Sequence, residues 1–181
     1  MKTIFKLLVL LLGVQLLYAN SAKEQERDRN IMMNLNWIKG PSKVSVGSNA
    51  TFNIPKGFVF LNPTDTETLM ELFQNPKSNQ NRYYFSPEDM SWFGLFSYEN
   101  TGYIKDDEKI DDYKALESFK RGTEEGNKIR IRNGWEPMKI LGWKYKPFYD
   151  AQTRRLTWAI DAISGNEPVI NYNTRILGRY G

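Results

Sequence analysis

The 181-residue chain contains no cysteine and no histidine. The first absence excludes a disulfide framework, a thiolate nucleophile and any cysteine-ligated metal. The second excludes every histidine-based triad and imidazole ligation of haem. The 13 glycines form neither a phosphate loop nor a G-x-G-x-x-G turn. No cofactor is implied by what remains. The balance is otherwise that of an ordinary globular chain, 40% hydrophobic and 25% charged.

Charge of one sign is also scarce. The net charge is +4, and residues 1–21 carry two lysines and no acid. Without them the balance falls to +2, too mild to argue for nucleic acid as a partner. It is compatible with an anionic membrane surface nearby.

Lys2 and Lys6 precede an apolar run over residues 7–17, broken only by Gly13 and Gln15. Ala19, Asn20, Ser21 and Ala22 follow. This is the order of a secretory signal peptide over residues 1–21. The run holds about 11 residues, against the roughly 20 that span a bilayer as a helix. Residues 22–36 mix signs (Lys23, Glu24, Glu26, Arg27, Asp28, Arg29) and read as a polar arm or short surface helix.

From Trp37 onward the pattern is that of one α+β domain, an antiparallel meander with one long and one short helix packed on it. Val44, Val46, Ala50, Phe52 and Ile54 keep one parity around Gly47–Ser48–Asn49, as in a hairpin. Phe58–Val59–Phe60–Leu61 is a short buried strand. Thr64–Asp65–Thr66–Glu67 fits a capping box before a helix of about 10–12 residues that stops at Asn75–Pro76. Aromatic-rich strands follow around Tyr84 and Trp92. Residues 111–132 carry the strongest helical periodicity: Leu116, Phe119, Gly122, Gly126 and Ile129 recur at three and four. Gly122 and Gly126 on that stripe suggest a close approach to the sheet, where a larger side chain would overpack. Three strands end the pattern, turning at Asp150–Ala151–Gln152–Thr153 and at Ser164–Gly165–Asn166–Glu167. Trp92 and Trp158 are expected in the core. The last strand runs directly into Gly178–Arg179–Tyr180–Gly181, and the natural chain is expected to continue.

Three sets of residues could carry chemistry. Asp106, Asp107, Glu108, Asp111 and Asp112 offer carboxylate oxygens of the kind Ca²⁺ takes. Asp106, Asp107 and Asp111 are the candidate metal ligands, but acids at a helix start first of all complement its positive end. Asn171, Asn173 and Arg175 lie on one face of the last strand, with Tyr103 and Lys105 as further candidates. They could bind a carboxylate or phosphate, or form a wet sheet face. Asp150 and Asp161 could be imagined as a hydrolytic pair. They read more simply as a turn former and an outward strand residue. Trp143, Tyr145, Phe148 and Tyr149 alternate with Lys144, Lys146 and Pro147, a pattern suited to an exposed sheet edge.

Five segments carry a wider resemblance: GPSKVSVGSNATFNIPKGFVFL, WFGLFSYENTGYIKDDEKID, SFKRGTEEGNKIR, YDAQTRRLTWAID and NYNTRILGRYG. In this order and over residues 37–181 they resemble domain of unknown function family 2167, bacterial proteins described as predicted membrane-anchored. The sequence departs at Gly126, where that pattern has alanine. The resemblance implies a continuation through more strand and helix into hydrophobic C-terminal segments. It implies a location and no chemistry. The combined expectation is an exported envelope protein, periplasmic or membrane-associated through a C-terminal anchor, acting as a non-enzymatic interaction or structural module with a protein or envelope partner. The alternative is a carboxylate-based or Ca²⁺-dependent envelope hydrolase.

Overall fold

The computed structural model describes residues 22–47, 50–98 and 110–177. The candidate signal peptide, the tip of the first hairpin, and Tyr103, Lys105, Asp106 and Asp107 lie outside the described residues. The chain divides into two compact units, Met1–Tyr98 and Glu99–Gly181. The class is α+β with antiparallel strand pairs, as the sequence leads one to expect, but the strands are shared among three sheets.

The first unit opens with helix α1 (Ala22–Asn34), which the mixed charges left open between arm and helix. Its last turn is anchored: Met32 and Leu35 are buried, and the Trp37 indole Nε1 donates to the Met32 carbonyl at 2.9 Å. Strands β1 (Ile38–Lys39), β4 (Phe58–Leu61), β5 (Tyr83–Pro87) and β6 (Gly94–Phe96) make a four-stranded sheet in the order β1-β4-β5-β6. Strands β2 (Ser42–Val46) and β3 (Ala50–Ile54) form the expected hairpin, Val46 facing Ala50. Helix α2 (Pro63–Leu72) lies between β4 and β5 in sequence.

The unbroken apolar run of β4 follows from alternation between two cores. Val59 and Leu61 belong with Met32, Leu35, Leu69, Met70 and Tyr84. Phe60 belongs with Val46 and Ile54, and is flanked by Phe52, Tyr83, Phe85 and Phe96. Each fully buried leucine removes apolar surface worth roughly 1.5–3 kcal/mol. Trp92, expected inside, is half exposed; its ring leans edge-on against Phe58 and Phe85 at 6.1 and 6.0 Å.

The start of α2 also differs from the expected capping box. Asn62, one position before Pro63, is the N-cap: its Oδ1 accepts from the Asp65 N–H at 3.0 Å, and its Nδ2 donates to the Asp65 carboxylate at 2.9 Å. Proline at the first helical position fixes the entry, since its missing N–H is an orphan there anyway. Thr66 is consequently inside the helix. Its hydroxyl donates to the Leu61 carbonyl at 3.3 Å and accepts from the Tyr84 N–H at 3.0 Å, tying α2 to both central strands. Beside them the Tyr84 hydroxyl is buried, and burial pushes its pKa up to about 12.

The second unit is helix α3 (Asp112–Arg132) on a three-stranded meander: β7 (Met138–Asp150), β8 (Arg155–Ser164) and β9 (Glu167–Ile176), in that order. Helix and sheet meet through Phe119, whose ring lies 5.8 Å from Trp143 and 6.2 Å from Trp158. The far end is fixed by hydrogen bonds: Asn127 exchanges two with the Met138 backbone (2.7 and 2.8 Å), and Arg130 Nε donates to the Glu136 carbonyl at 2.7 Å. Gly134, at φ +73°, stops the helix as the Asn133–Gly134 pair foretells.

Gly122 and Gly126 do not make the close approach expected of them. A Cβ built on either meets no atom within 4 Å, and Gly122 is exposed. With no neighbour to clash with, the overpacking expected of Gly122→Leu does not arise. What remains is the backbone freedom that glycine loses in a helix interior. Gly122→Ala is therefore expected to stabilise the second unit by about 0.5–1 kcal/mol. Calorimetry should show its transition rising by a few degrees; a fall would mean that the position is covered.

Candidate functional site

The register of β9 against β8 places the candidate side chains of the last strand. In an antiparallel pair, directly opposed residues share a face. Trp158 stands opposite Asn173, Ile160 opposite Asn171, and Leu156 opposite Arg175. Because Phe119 of α3 packs on Trp158, the side chains of Asn171, Asn173 and Arg175 lie on the helix side of the sheet. The other parity, Ile170, Tyr172, Thr174 and Ile176, faces away from α3.

The helix side beyond α3 is a polar strip. Asn173 Nδ2 donates to the backbone carbonyl and Oδ1 of Asn171 at 3.1 and 3.2 Å, so these two amides form one contact. Arg175 is placed farther along the strand. At about 3.3 Å per residue, the backbones of positions 171 and 175 are about 13 Å apart. Next to Asn173 the Trp158 Nε1–H is buried with no hydrogen-bond partner. The strip thus offers donors in a row along one strand face.

Asp111 is the one candidate metal ligand among the described residues. It is the N-cap of α3: Oδ1 accepts from the Lys114 N–H at 3.0 Å, and Oδ2 lies 3.4 Å from Lys114 Nζ. The bond from the Lys114 backbone, ahead of the lysine charge, holds its pKa below the ordinary carboxylate value. Asp112 pairs with Lys146 at 2.7 Å, and its peptide carbonyl accepts from Trp143 Nε1 at 3.2 Å. Asp150 forms its turn by accepting from the Thr153 hydroxyl at 2.6 Å and the Gln152 N–H at 2.9 Å. Its pKa is lowered chiefly by that Thr153 hydroxyl. These acids stabilise structure in their ionised forms. A general acid needs the opposite shift. Among the described residues, no group of three or more acids is placed to hold a metal ion.

The opposite face of the sheet is built differently. Tyr145 and Tyr172 flank Ala159, which they help to bury completely. Phe148 and Thr174 flank Thr157, whose hydroxyl lies 3.1 Å from that of Thr174. Ile170 and Ile176 extend the surface toward both ends of β9. Phe148, Ile176, Tyr145, Tyr172 and Ile170 are each between 57 and 69% exposed. Among the described residues no other element covers these five side chains.

The family model described as Protein of unknown function (DUF2167) matches residues 38–181. The chain belongs to this family. In this DUF2167 chain the match runs from β1 through β9 and covers every residue of the polar strip and the apolar face. No curated protein and no solved structure matches the chain. Among the described residues, no helix is long and apolar enough to cross a membrane.

Proposed function

We propose that this DUF2167 chain is an exported, membrane-tethered binding module of the bacterial cell envelope rather than an enzyme, and that it works through the apolar face of β7–β9. The observation that carries this reading is that face: five large apolar side chains exposed on one side of a sheet whose other side packs on α3. The run of residues 1–21 supports export. The alternative hydrolase gains nothing from Asp111, Asp112 and Asp150, whose oxygens are engaged by a helix N-terminus, a lysine and a turn.

The test places the photo-crosslinking amino acid p-benzoylphenylalanine at Phe148 in cells carrying the full chain, with Tyr113, exposed on α3, as control. Adducts to envelope components at position 148, absent at position 113, are the expected result. Equal labelling at both sites, or hydrolysis of peptidoglycan by the purified chain, would overturn the reading.

A further inference from the structure

We infer that Asn133–Gly134 is a self-modification site that the end of α3 holds shut: deamidation of Asn133 waits for that end to open, and then keeps it from closing. The site is independent of the apolar face.

Asn133–Gly134 is the one Asn–Gly pair in the chain. Asparagine is chemically labile, and glycine, with no Cβ, leaves its nitrogen open to attack the neighbouring side-chain amide. In that step the Gly134 nitrogen gives its proton to water or hydroxide and bonds to Asn133 Cγ. The Cγ–Nδ2 bond breaks, and the side-chain nitrogen leaves as ammonia. The product is a cyclic imide, which water opens at either carbonyl. Breaking the bond from Cγ to the Gly134 nitrogen gives aspartate. Breaking the bond from the backbone carbonyl carbon gives isoaspartate, in which the chain runs on through Cγ. Nothing is oxidised or reduced.

The folded second unit withholds the geometry this needs. Ring closure requires Asn133 Cβ and the Gly134 nitrogen to be eclipsed about the Cα–C bond. Asn133 has φ −87° and ψ 1°. At that ψ its own backbone nitrogen eclipses the Gly134 nitrogen, and Cβ stands a third of a turn away. Rotation is resisted because the following residues are pinned. The Gly134 N–H donates to the Ile131 carbonyl at 3.0 Å, which also retains the proton that attack must lose. The Trp135 N–H donates to the Arg130 carbonyl at 2.8 Å. Beyond it, the Glu136 carbonyl holds Arg130 Nε, and the Met138 backbone exchanges its two bonds with Asn127. Reaction therefore requires residues 134–138 to leave the last turns of α3, a local opening of the fold.

The products do not fit back. Aspartate sets a negative charge at the negative end of α3. Isoaspartate lengthens the backbone by one atom between positions 133 and 134, so the Gly134 and Trp135 N–H groups fall out of step with the Ile131 and Arg130 carbonyls. An opening that lasts long enough is thus recorded covalently, and the second unit ages in one direction.

The full chain is incubated at mildly alkaline pH, either folded or in guanidinium chloride. The tryptic peptide Asn133–Lys139 is then followed by mass spectrometry, with isoaspartate scored by enzymatic methylation. Conversion is expected to be at least about tenfold slower in the folded chain. Asn127→Ala removes both bonds to Met138; it should speed the folded chain several-fold and leave the unfolded rate alone. Equal rates for the folded and unfolded natural chain would overturn the inference. So would an Asn127→Ala chain that is folded by circular dichroism and reacts at the natural rate. After removal of denaturant, hydrogen exchange at Gly134 and Trp135 should stay fast in isoaspartate chains and slow in unconverted ones. Equal recovery of the two forms would overturn the one-way character.

Discussion

Gly40→Ala is expected to cost the first unit about 3 kcal/mol, the upper end of what overpacking does. A Cβ at this position would overlap the carbonyl oxygen of Pro55 and come within 2.7 Å of that of Ile54. Both obstacles are backbone, so no side chain can swing aside. Retreat is also blocked, because the Gly40 N–H donates to the Phe58 carbonyl at 3.0 Å. The substitution forces the link between β1 and β2 away from the link between β3 and β4. Those two links carry the β2–β3 hairpin, and with it Val46 and Ile54 of the second core. Chemical denaturation followed by tryptophan fluorescence reads the loss; Trp37 and Trp92 report on this unit. A midpoint unchanged from the natural chain would show that the two links do not touch in solution.

Thr66→Val is expected to cost about 1–3 kcal/mol, although it changes the side-chain volume very little. The hydroxyl it removes is fully buried and is engaged twice, toward the Leu61 carbonyl and the Tyr84 N–H. Valine leaves that buried N–H without its acceptor. Thr66→Ser keeps the hydroxyl and should keep most of the stability, apart from the missing methyl. The contrast between the two variants separates the hydrogen bonds from the packing. Should valine and serine cost the same, the hydroxyl would have no special part. Hydrogen exchange at Tyr84 supplies a local readout, faster in Thr66→Val than in Thr66→Ser.

Local signals carried much of this fold. The hairpin over β2 and β3 follows from parity around a short turn, and α3 begins and ends where its acids, bases and Asn133–Gly134 indicate. These features depend on neighbours in sequence. The α2 start is ambiguous in sequence because Thr64–Asp65–Thr66–Glu67 and Asn62–Pro63–Thr64–Asp65 both look like caps, and only the chain leaving β4 selects the second. Gly122 and Gly126 lie on the apolar stripe of α3, yet a stripe wider than its partner leaves part of itself uncovered. That is a matter of where the sheet ends, which periodicity does not contain.

The apolar face is legible in the sequence only by counting across the last turn. The even-numbered residues of β8, Leu156, Trp158 and Ile160, invite the even-numbered residues of β9, Ile170, Tyr172 and Ile176, onto the same side. The two-residue turn forbids this: opposed positions in β8 and β9 differ in parity, as Trp158 with Asn173 shows. Counting across the turn would have put the apolar side chains of β9 opposite the helix face, beside Asp161. The polar candidates Asn171, Asn173 and Arg175 would then have shared the helix side with the tryptophans. For Tyr103, Lys105, Asp106 and Asp107 no such check applies, since they lie outside the described residues.

The two margins of the β7–β9 sheet are unlike. β9 matches β8 residue for residue over its whole length, whereas the pairing of β7 with β8 slips three times, between Ile140 and Gly142, Trp143 and Tyr145, and Tyr145 and Phe148. Bulges of this kind twist a strand and break the even spacing that a new neighbour needs. Lys144, Lys146 and Pro147 lie within the same stretch. A strand laid along the β7 margin would meet donors and acceptors out of step at three places, so that margin is guarded against edge-to-edge pairing.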